Sequence, residues 1–516
     1  MALTSARTVL DLLATAPPAA PAILAPGRPT LDHARLAGLI EGTVAQLNRL
    51  GIGRNDRVAI VLPTGPEMAA AFLAIAAGAT TAPLNPAYRA EEFDFYLADL
   101  GAKALVLAAG DAGPAAAAAR RHGARILHLT VPPGAAAGLF TLEPEDDVGA
   151  GRHVTPEPAA PEDTALVLHT SGTTSRPKIV PLSQANLAAS ARHIIDALAL
   201  SAEDRCLGIM PLFHIHGLMA ATLAALGAGG SLFLPGPFNA LRFFAAFEAA
   251  RPTWYTAVPT MHQAILARAA RNPEALTHAR LRLIRSSSAS LPPAVLRELE
   301  AAFRCPVIES YGMTEAAHQM TSNPLPPGER RPGSVGRAAG PFVRVMDAAG
   351  AFVPHGQPGE VVISGPNVTA GYERNPQANA AAFVAAEGRR WFRTGDEGVL
   401  DAAGYLTLTG RLKEIINRGG EKVSPLEVDG VLSEHPAVAQ VVCFALRHDK
   451  LGEEVAAAVV LREGADVDES ALRAFAAARL ADFKVPRRIL FVPEIPKGAT
   501  GKLQRIGLAA RLGLEP

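Results

Sequence analysis

One ten-residue segment, His169 to Lys178, carries a high density of groups that bind phosphate. It reads HTSGTTSRPK, with three Thr, two Ser, one Gly, one Arg and one Lys. Hydroxyls, backbone amides and cations are the groups that polyphosphate oxygens require. Strand-like residues lie on both sides, at 164–168 and 179–182, and Pro181 bars a helix after the segment. We therefore predict a phosphate-binding loop between two strands.

The same residues exclude a P-loop kinase or ATPase. A Walker A loop needs Gly-x-x-x-x-Gly-Lys-Ser/Thr and a helix directly after it. Here no second Gly precedes Lys178, and Lys178 leads into Ile-Val-Pro.

Alternating strand and helix patterns surround the loop. The apolar run 57–63 predicts a strand, 67–78 predicts a buried helix that ends at Gly, and Ser183 is placed to cap a helix over 185–199. This order predicts parallel βαβ construction. Residues 110–160 are rich in Ala, Gly and Pro and are expected to be a loose surface stretch.

A second, smaller domain is expected at the C-terminal end. Ser424 to Glu427 has the pattern of a capping box, with Pro425 at the first helical position. Short strand and helix patterns follow it, and 469–480 places its apolar residues on one helix face. We predict an α/β protein with a large domain over 1–410 and a small α+β domain over 411–516.

Composition excludes several classes of protein. The 516 residues contain 49 Lys and Arg against 49 Asp and Glu, so there is no basic surplus for general nucleic-acid binding. Hydrophobic residues make up 49%, which excludes disorder as a whole. Three separate cysteines offer no disulfide framework or metal pair, and no segment has the composition of a membrane span. A cytoplasmic location is therefore predicted, and the oligomeric state stays open.

The phosphate loop resembles the signature of the adenylate-forming ligases, which include acyl-CoA synthetases, aryl-CoA ligases, beetle luciferases and peptide-synthetase adenylation domains. The resemblance extends over roughly residues 30–505, although the family usually has Gly where this chain has Ser175. It implies a large adenylate-forming domain, a small mobile lid domain, and binding of ATP phosphates by the loop. The loop residues so assigned are Thr170, Ser171, Gly172, Thr173, Thr174 and Lys178.

Tyr311-Gly312-Met313-Thr314-Glu315 resembles the family's adenine and metal motif. The resemblance implies that Tyr311 and Gly312 lie against adenine and that Thr314 bonds the α-phosphate. Glu315 is an oxygen ligand suited to Mg²⁺. Without the loop upstream, a Tyr-Gly turn before a helix is more often structural.

The C-terminal motifs resemble the family's ribose, hinge, channel and catalytic segments. Asp396 and Arg411 are implied to contact ribose, and Lys413 to be the hinge, although a solvated charge is its ordinary interpretation. Gly419 and Gly420 are implied to line the coenzyme A channel, or they form a tight turn before Ser424, or both. In the segment PKGATGK, Lys502 is implied to reach the carboxylate and the α-phosphate.

The acid site is expected among polar residues, which is unusual for a fatty-acid tunnel. Its candidates are His214, His216, Ser288 and His318. Three His and a hydroxyl could bind a second carboxylate, and the motifs around them resemble the oxalate–CoA ligase group of the family. The alternatives are gating or packing for His214 and His216, and a helix surface for His318.

The resemblance implies an ATP-dependent acid–CoA ligase that forms an acyl-adenylate and then an acyl-CoA, with oxalate as the expected acid. Lys502, Lys178, Thr314 and His214 are the implied catalytic residues, and the expected partners are ATP, Mg²⁺, coenzyme A and a small carboxylate. The runner-up is a fatty-acyl or aryl-CoA ligase. Carrier-protein loading, a luciferase-like oxygenase and a nucleotide-binding protein without turnover also stay open.

Overall fold

The structure is a computed structural model that describes residues 5–146, 159–170, 177–498 and 502–514. Its strands, numbered in chain order, are β1 (Pro21–Leu24), β2 (Leu31–Asp32), β3 (Arg57–Val61), β4 (Thr80–Pro83), β5 (Ala104–Ala108), β6 (Arg125–Thr130), β7 (Thr141–Pro144), β8 (Thr164–Thr170), β9 (Lys178–Ser183), β10 (Arg205–Leu207), β11 (Ser231–Phe233), β12 (Trp254–Ala257), β13 (Leu283–Ser286), β14 (Val307–Met313), β15 (His318–Ser322), β16 (Arg337–Ala338), β17 (Phe342–Met346), β18 (Pro358–Ser364), β19 (Phe383–Ala386), β20 (Arg389–Leu400), β21 (Leu406–Arg411), β22 (Ile416–Arg418), β23 (Glu421–Val423), β24 (Val438–His448), β25 (Gly452–Leu461) and β26 (Arg488–Phe491).

Helices cover the sheets and connect their parallel strands. The α-helices are α1 (Val9–Leu13), α2 (His33–Arg49), α3 (Pro66–Ala76), α4 (Ala90–Leu100), α5 (Pro114–Arg121), α6 (Gln184–Leu198), α7 (Ala224–Gly227), α8 (Phe243–Ala250), α9 (Pro259–Ala269), α10 (Pro273–Thr277), α11 (Pro293–Phe303), α12 (Pro376–Ala382), α13 (Pro425–Ser433), α14 (Glu469–Ala477) and α15 (Leu508–Arg511). A π-helix spans His216–Leu223, and 3₁₀ turns span Thr314–Ala316 and Asp482–Lys484.

Two large, mostly parallel sheets dominate the chain before β17. One has seven strands in the order β7-β6-β5-β3-β4-β8-β9, and the other has nine in the order β16-β15-β14-β13-β12-β10-β11-β1-β2. Every described residue of α3 from Met68 to Ala76 is buried, as expected for a helix that packs in a large α/β core. The predicted βαβ construction is confirmed.

Two smaller sheets follow. The first is antiparallel and contains β17 to β21, and the second contains β22 to β26 and forms the C-terminal part. The predicted fold class, a large α/β part followed by a small α+β part, is confirmed. The domain limits 1–410 and 411–516 stay a prediction, since β21 ends at Arg411 in one sheet and β22 begins at Ile416 in the next.

The expectation of a loose stretch over 110–160 is wrong for the parts that form regular elements, 114–121, 125–130 and 141–144. The segment contains α5, β6 and β7, and β6 pairs in parallel with β5. Helix α5 buries Ala115, Ala116, Ala118 and Ala119. The buried face of α5 consists of alanines, which give it little hydrophobic contrast. The segment therefore lacks the large apolar residues whose spacing predicts a helix from sequence.

No helix in the described parts of the chain is long and apolar enough to cross a membrane.

Candidate active site

The predicted phosphate loop connects two strands at the edge of the seven-stranded sheet. Strands β8 and β9 pair antiparallel, and Thr170 lies opposite Lys178 at the end of the ladder. Ser183 then caps α6, as predicted, and accepts a hydrogen bond from the backbone of Asn186. Ser171, Gly172, Thr173 and Thr174 lie outside the described residues, so the structure places the two ends of the loop.

Tyr372, which the sequence analysis did not identify, contacts both Lys178 and Glu315, the candidate metal ligand. The Nζ atom of Lys178 lies 4.4 Å from the ring centroid of Tyr372, and the Tyr372 hydroxyl donates to Glu315 Oε1 at 2.9 Å. Burial raises the pKa of the Glu315 carboxyl. A cation, a phenol and a carboxylate are thus brought together beside the loop.

The adenine and ribose candidates contact each other directly. The Tyr311 hydroxyl donates to Asp396 Oδ2, and Arg411 Nε lies 3.3 Å from Asp396 Oδ1. Burial raises the pKa of the Asp396 carboxyl, and Arg411 opposes that shift. Asp396 lies on β20 and Arg411 opposite it on β21, so the sheet itself sets their pairing.

The segment after Glu315 is a strand, where a helix was expected. Thr314, partly exposed, begins the 3₁₀ turn that carries Glu315, and β15 then pairs antiparallel with β14. A Cβ atom on Gly312 would lie 1.6 Å from the carbonyl oxygen of His318. Only Gly permits this close approach of the two strands, and the hairpin takes the place of the helix.

The alternative interpretation of His318, as a residue on a helix surface, is therefore wrong. His318 is 1% exposed and has a φ of +92°. Its neighbour Ala317 also has a positive φ, of 46°. Positive φ angles at non-glycine residues are strained and cluster at functional sites.

The C-terminal lysine lies in a short loop anchored to the last sheet. The backbone N–H of Gly498 donates to the carbonyl of Lys502 at 2.8 Å, and Arg505 bonds Asp429 Oδ2 at 2.8 Å. Arg505 also lies 3.3 Å from Glu414, next to the predicted hinge. Burial lowers the pKa of Lys502 to about 8; Arg411 lowers it further, whereas Asp396 and Glu315 raise it. The charges of three nucleotide candidates therefore act on Lys502.

The hinge candidate lies between the two small sheets, and the channel candidates lie within the second of them. Lys413 belongs to the four-residue connection, 412–415, between β21 and β22. Gly419 and Gly420 form the two-residue turn between β22 and β23, with φ angles of +61° and +95°. This turn accounts for both glycines, as the second interpretation predicted, and a coenzyme A channel there stays a prediction.

The four acid candidates form one connected cluster. His216 Nδ1 lies 3.0 Å from Ser288 Oγ, the rings of His216 and His318 meet edge to face at 4.9 Å, and the His216 backbone N–H lies 3.4 Å from His214 Nδ1. Ser288 has a φ of +75°. His216 and His318 are buried, and His214 is partly buried.

Electrostatics keep these imidazoles neutral. Burial lowers the pKa of His214 to about 3, and the charge of Lys502 lowers it further. Burial is also the main cause that lowers the pKa of His216 and His318, to which Arg285 adds. Neutral imidazoles can each donate one hydrogen bond and accept another.

A π-helix positions His216. It begins at His216, and the Thr222 hydroxyl donates to the carbonyl of Gly217 five residues earlier at 2.9 Å. A Cβ atom on Gly217 would lie 2.2 Å from the carbonyl oxygen of Pro211. π-helices are rare and occur often at functional sites.

Thr256 contacts His216 of the cluster, and Arg285 contacts Thr256. The sequence analysis identified neither residue. Arg285 is fully buried on β13, opposite Thr256 on β12. Thr256 Oγ1 lies 2.6 Å from His216 Nε2 and 3.4 Å from Arg285 Nη1. An arginine inside the apolar strand pattern LRLIRSSS was the available signal.

Comparison with known proteins identifies the family. The family described as AMP-binding enzyme matches residues 13–373, and its C-terminal domain matches residues 427–502. An oxalate–CoA ligase of Arabidopsis thaliana is 47% identical over 93% of each chain. An oxalate–CoA ligase of Saccharomyces cerevisiae is 41% identical over 88% of this chain and 86% of its own.

Solved structures agree with the fold. ATP-bound MatB from Rhodopseudomonas palustris superposes with a TM-score of 0.84, at 31% identity, over 96% of this chain and 97% of that one. The predicted resemblance to adenylate-forming ligases is confirmed, as is the prediction of an AMP-forming acid–CoA ligase at the level of the enzyme class. The chain belongs to the AMP-binding enzyme family.

Proposed function

We propose that this enzyme joins oxalate to coenzyme A at the expense of ATP, through an oxalyl-adenylate. The observation that supports oxalate is the connected polar cluster of His214, His216, Ser288 and His318 beside Lys502. A long alkyl or aryl group would have to desolvate these polar groups without replacing their hydrogen bonds. The two curated relatives named above are oxalate–CoA ligases.

In the first step, one oxalate carboxylate attacks the α-phosphorus of ATP, and the bond to pyrophosphate breaks. Such transfers depend on positioning and on charge stabilisation. In our proposal Lys178 and the loop from Thr170 hold the departing phosphates, and Thr314 donates to the α-phosphate. Lys502 neutralises charge between the carboxylate and the α-phosphate, which the influence of Asp396 and Glu315 on its pKa supports.

Asp396 and Arg411 are proposed to bind ribose. A carboxylate has about four acceptor sites, so Asp396 can keep its contacts with Tyr311 and Arg411 and still accept from ribose hydroxyls. Tyr311 is proposed to lie against the adenine ring.

In the second step the coenzyme A thiol attacks the acyl carbon, AMP leaves, and the thiol proton is released. We propose that the C-terminal part turns about Lys413 between the two steps, which brings Gly419 and Gly420 to the channel for coenzyme A. The four-residue connection between the two small sheets supports such a motion.

Glu315 fits a magnesium ion that arrives with ATP. No group of three or more His, Cys, Asp and Glu capable of holding a metal exists in the parts of the chain that the structure describes. Mg²⁺ usually takes one or two carboxylates together with substrate phosphates and water, so a single buried Glu315 suffices. When bound, the ion offsets negative charge on the phosphates.

The test is ATP–pyrophosphate exchange with oxalate, malonate, acetate, octanoate and 4-coumarate, each offered separately, followed by thioester formation with coenzyme A. We expect exchange with oxalate above the other acids. Exchange that increases with chain length would contradict oxalate and favour the fatty-acyl alternative. Exchange without thioester formation would favour a carrier-protein acceptor.

A further inference from the structure

The buried guanidinium of Arg285 has no negative partner. Arg285 is 0% exposed, donates to Gln319 Oε1 at 3.0 Å and to Thr256 Oγ1 at 3.4 Å, and its Nε has no partner among the described residues. No carboxylate of the described chain lies within ion-pair distance of it. A buried cation without a counter-charge costs several kcal/mol. The region therefore favours an anion that comes from outside the chain.

The nearest buried carboxylate on the adjacent strand faces elsewhere. Glu309 lies on β14 opposite Ser286, so its side chain points to the same side of the sheet as Ser286. Arg285 precedes Ser286 and points to the other side. Glu309 accepts from the backbone of Leu291, and burial raises its pKa to about 8. It does not compensate Arg285.

A second set of unpaired polar atoms lies beside Arg285. Both ring nitrogens of His318 are buried and have no partner among the described residues. His318 packs against His216, and the charge of Arg285 lowers the pKa of both rings. A cation and an imidazole with free nitrogens are suitable partners for one carboxylate.

The hydrogen bonds of Thr256 also determine which ring nitrogen of His216 carries the proton. Arg285 can only donate, so Thr256 Oγ1 accepts from it. The Thr256 hydroxyl then donates to His216 Nε2, the one acceptor found for it in the described chain. His216 therefore carries its proton on Nδ1 and donates to Ser288 Oγ. The Ser288 hydroxyl keeps its own proton for a ligand.

We propose that Arg285 determines selectivity for acids with a second carboxylate, by its own charge and by orienting the Ser288 hydroxyl through Thr256 and His216. The inference rests on the proposed function and adds a specificity-determining residue to it. In this arrangement the second carboxylate of the acid accepts from Ser288 and His318 in the field of Arg285. The first carboxylate is left to attack ATP.

The test compares oxalate with oxamate, in which a neutral amide replaces one carboxylate at nearly the same size. ATP–pyrophosphate exchange reports adenylation alone. We expect the wild-type enzyme to prefer oxalate by ~100-fold in kcat/KM, because hydrogen bonds to a charged group contribute about 1.5–3 kcal/mol and the neutral amide forfeits that charge. Arg285→Gln should reduce the preference to below ~5-fold, mainly through a higher KM for oxalate, and Arg285→Lys should retain at least ~10-fold, since it keeps a charge.

The outcomes separate the two proposals. Absence of exchange with oxalate in the wild-type enzyme contradicts the proposed function. Exchange in which Arg285→Gln slows both acids equally, with an unchanged ratio, contradicts only the role of Arg285. If that variant does not fold, Thr256→Val is the second test. It keeps the side-chain shape and the charge of Arg285, and it removes the hydrogen-bond relay from Arg285 through Thr256 and His216 to Ser288. It should lower the ratio ~10-fold, and an unchanged ratio would overturn the relay.

Discussion

Lys502 is the residue whose charge is proposed to act on the reacting groups, the carboxylate and the α-phosphate. We expect Lys502→Ala to lower the rate of pyrophosphate exchange by ~10²–10³-fold while ATP binding is retained, because it removes one preorganised charge. The matched control is Lys497→Ala, which alters a lysine of the same loop that pairs with the exposed Glu494. A comparable loss in both variants would contradict the assigned role.

The same lysine predicts a pH dependence. Burial lowers the Lys502 pKa to about 8, with Arg411 acting in the same direction and Asp396 and Glu315 opposing it. The ammonium is present below that pKa and is lost as pH rises through it. We therefore expect kcat/KM for adenylation to fall above about pH 8. His214, whose pKa burial lowers to about 3, stays neutral over this range. Lys502→Arg should remove the alkaline fall in any activity it retains.

Arg285 also predicts an effect on stability. Replacing an unpaired buried cation by an apolar residue of similar length is often neutral or stabilising. We expect Arg285→Met to leave the free energy of unfolding unchanged or to raise it by about 1–4 kcal/mol, measured by denaturant unfolding. Arg282→Met is the control, because it leaves the buried Asp204 without its ion pair at 2.9 Å and should cost ~3 kcal/mol. Equal losses would show that Arg285 is structurally paired.

The candidate residues were predictable from sequence where the motif itself carries the chemistry. His214, His216, Ser288 and His318 meet in one cluster, and Asp396 meets Tyr311 and Arg411. Arg285, Thr256 and Tyr372 were missed because their roles depend on neighbours from other strands. The pairing of Thr256 with Arg285 joins residues 29 positions apart.

At the scale of elements, the hairpin of β14 and β15 holds Glu315 and His318 in place. We expect Gly312→Ala to destabilise the protein by at least ~2 kcal/mol and to impair adenylation, because its Cβ would overlap the His318 carbonyl. Gly430→Ala, in α13 with open space around it, should instead stabilise by ~0.5–1 kcal/mol. Thermal unfolding of both variants is the measurement; similar melting temperatures would contradict the overlap.

Elements with strong patterns were predicted well. The helix after Ser183 and the strand within the apolar run 57–63 appear where capping and hydrophobic pattern placed them. Only one of the two hydrogen bonds of the predicted capping box at Ser424 forms. Ser424 Oγ accepts from the backbone N–H of Glu427, but the Glu427 carboxylate accepts from Lys484 at 2.8 Å and not from the backbone of Ser424. A partner 57 residues away outcompeted the local bond, and sequence spacing does not reveal such a partner.

At the scale of the whole molecule, the connection 412–415 predicts separable half-reactions. We expect Lys413→Pro to preserve pyrophosphate exchange and to slow thioester formation by at least ~10-fold, since Pro restricts its own φ and the residue before it. Lys413→Ala should retain both steps. Equal slowing of exchange and thioester formation by the Pro variant would contradict a hinge at this position.

The arrangement of the four sheets could not be derived from sequence in detail. Alternating strands and helices predicted parallel sheets, but not that β1 would pair with β11 across about two hundred residues. Contacts between the large part and the C-terminal sheet, such as Arg462 with Glu298 at 3.1 Å, are equally invisible to local patterns.

The π-helix over His216–Leu223 has a consequence for insertions and deletions. A π-turn holds one more residue than the α-turn it replaces, so this segment contains more residues than an α-helix of the same number of turns. Removing a single residue from it should let the helix relax to regular geometry and rotate His216 away from Ser288. The enzyme would then gain helix stability and lose acid recognition. Chains of this fold that differ by one residue here are expected to differ in the acid they accept.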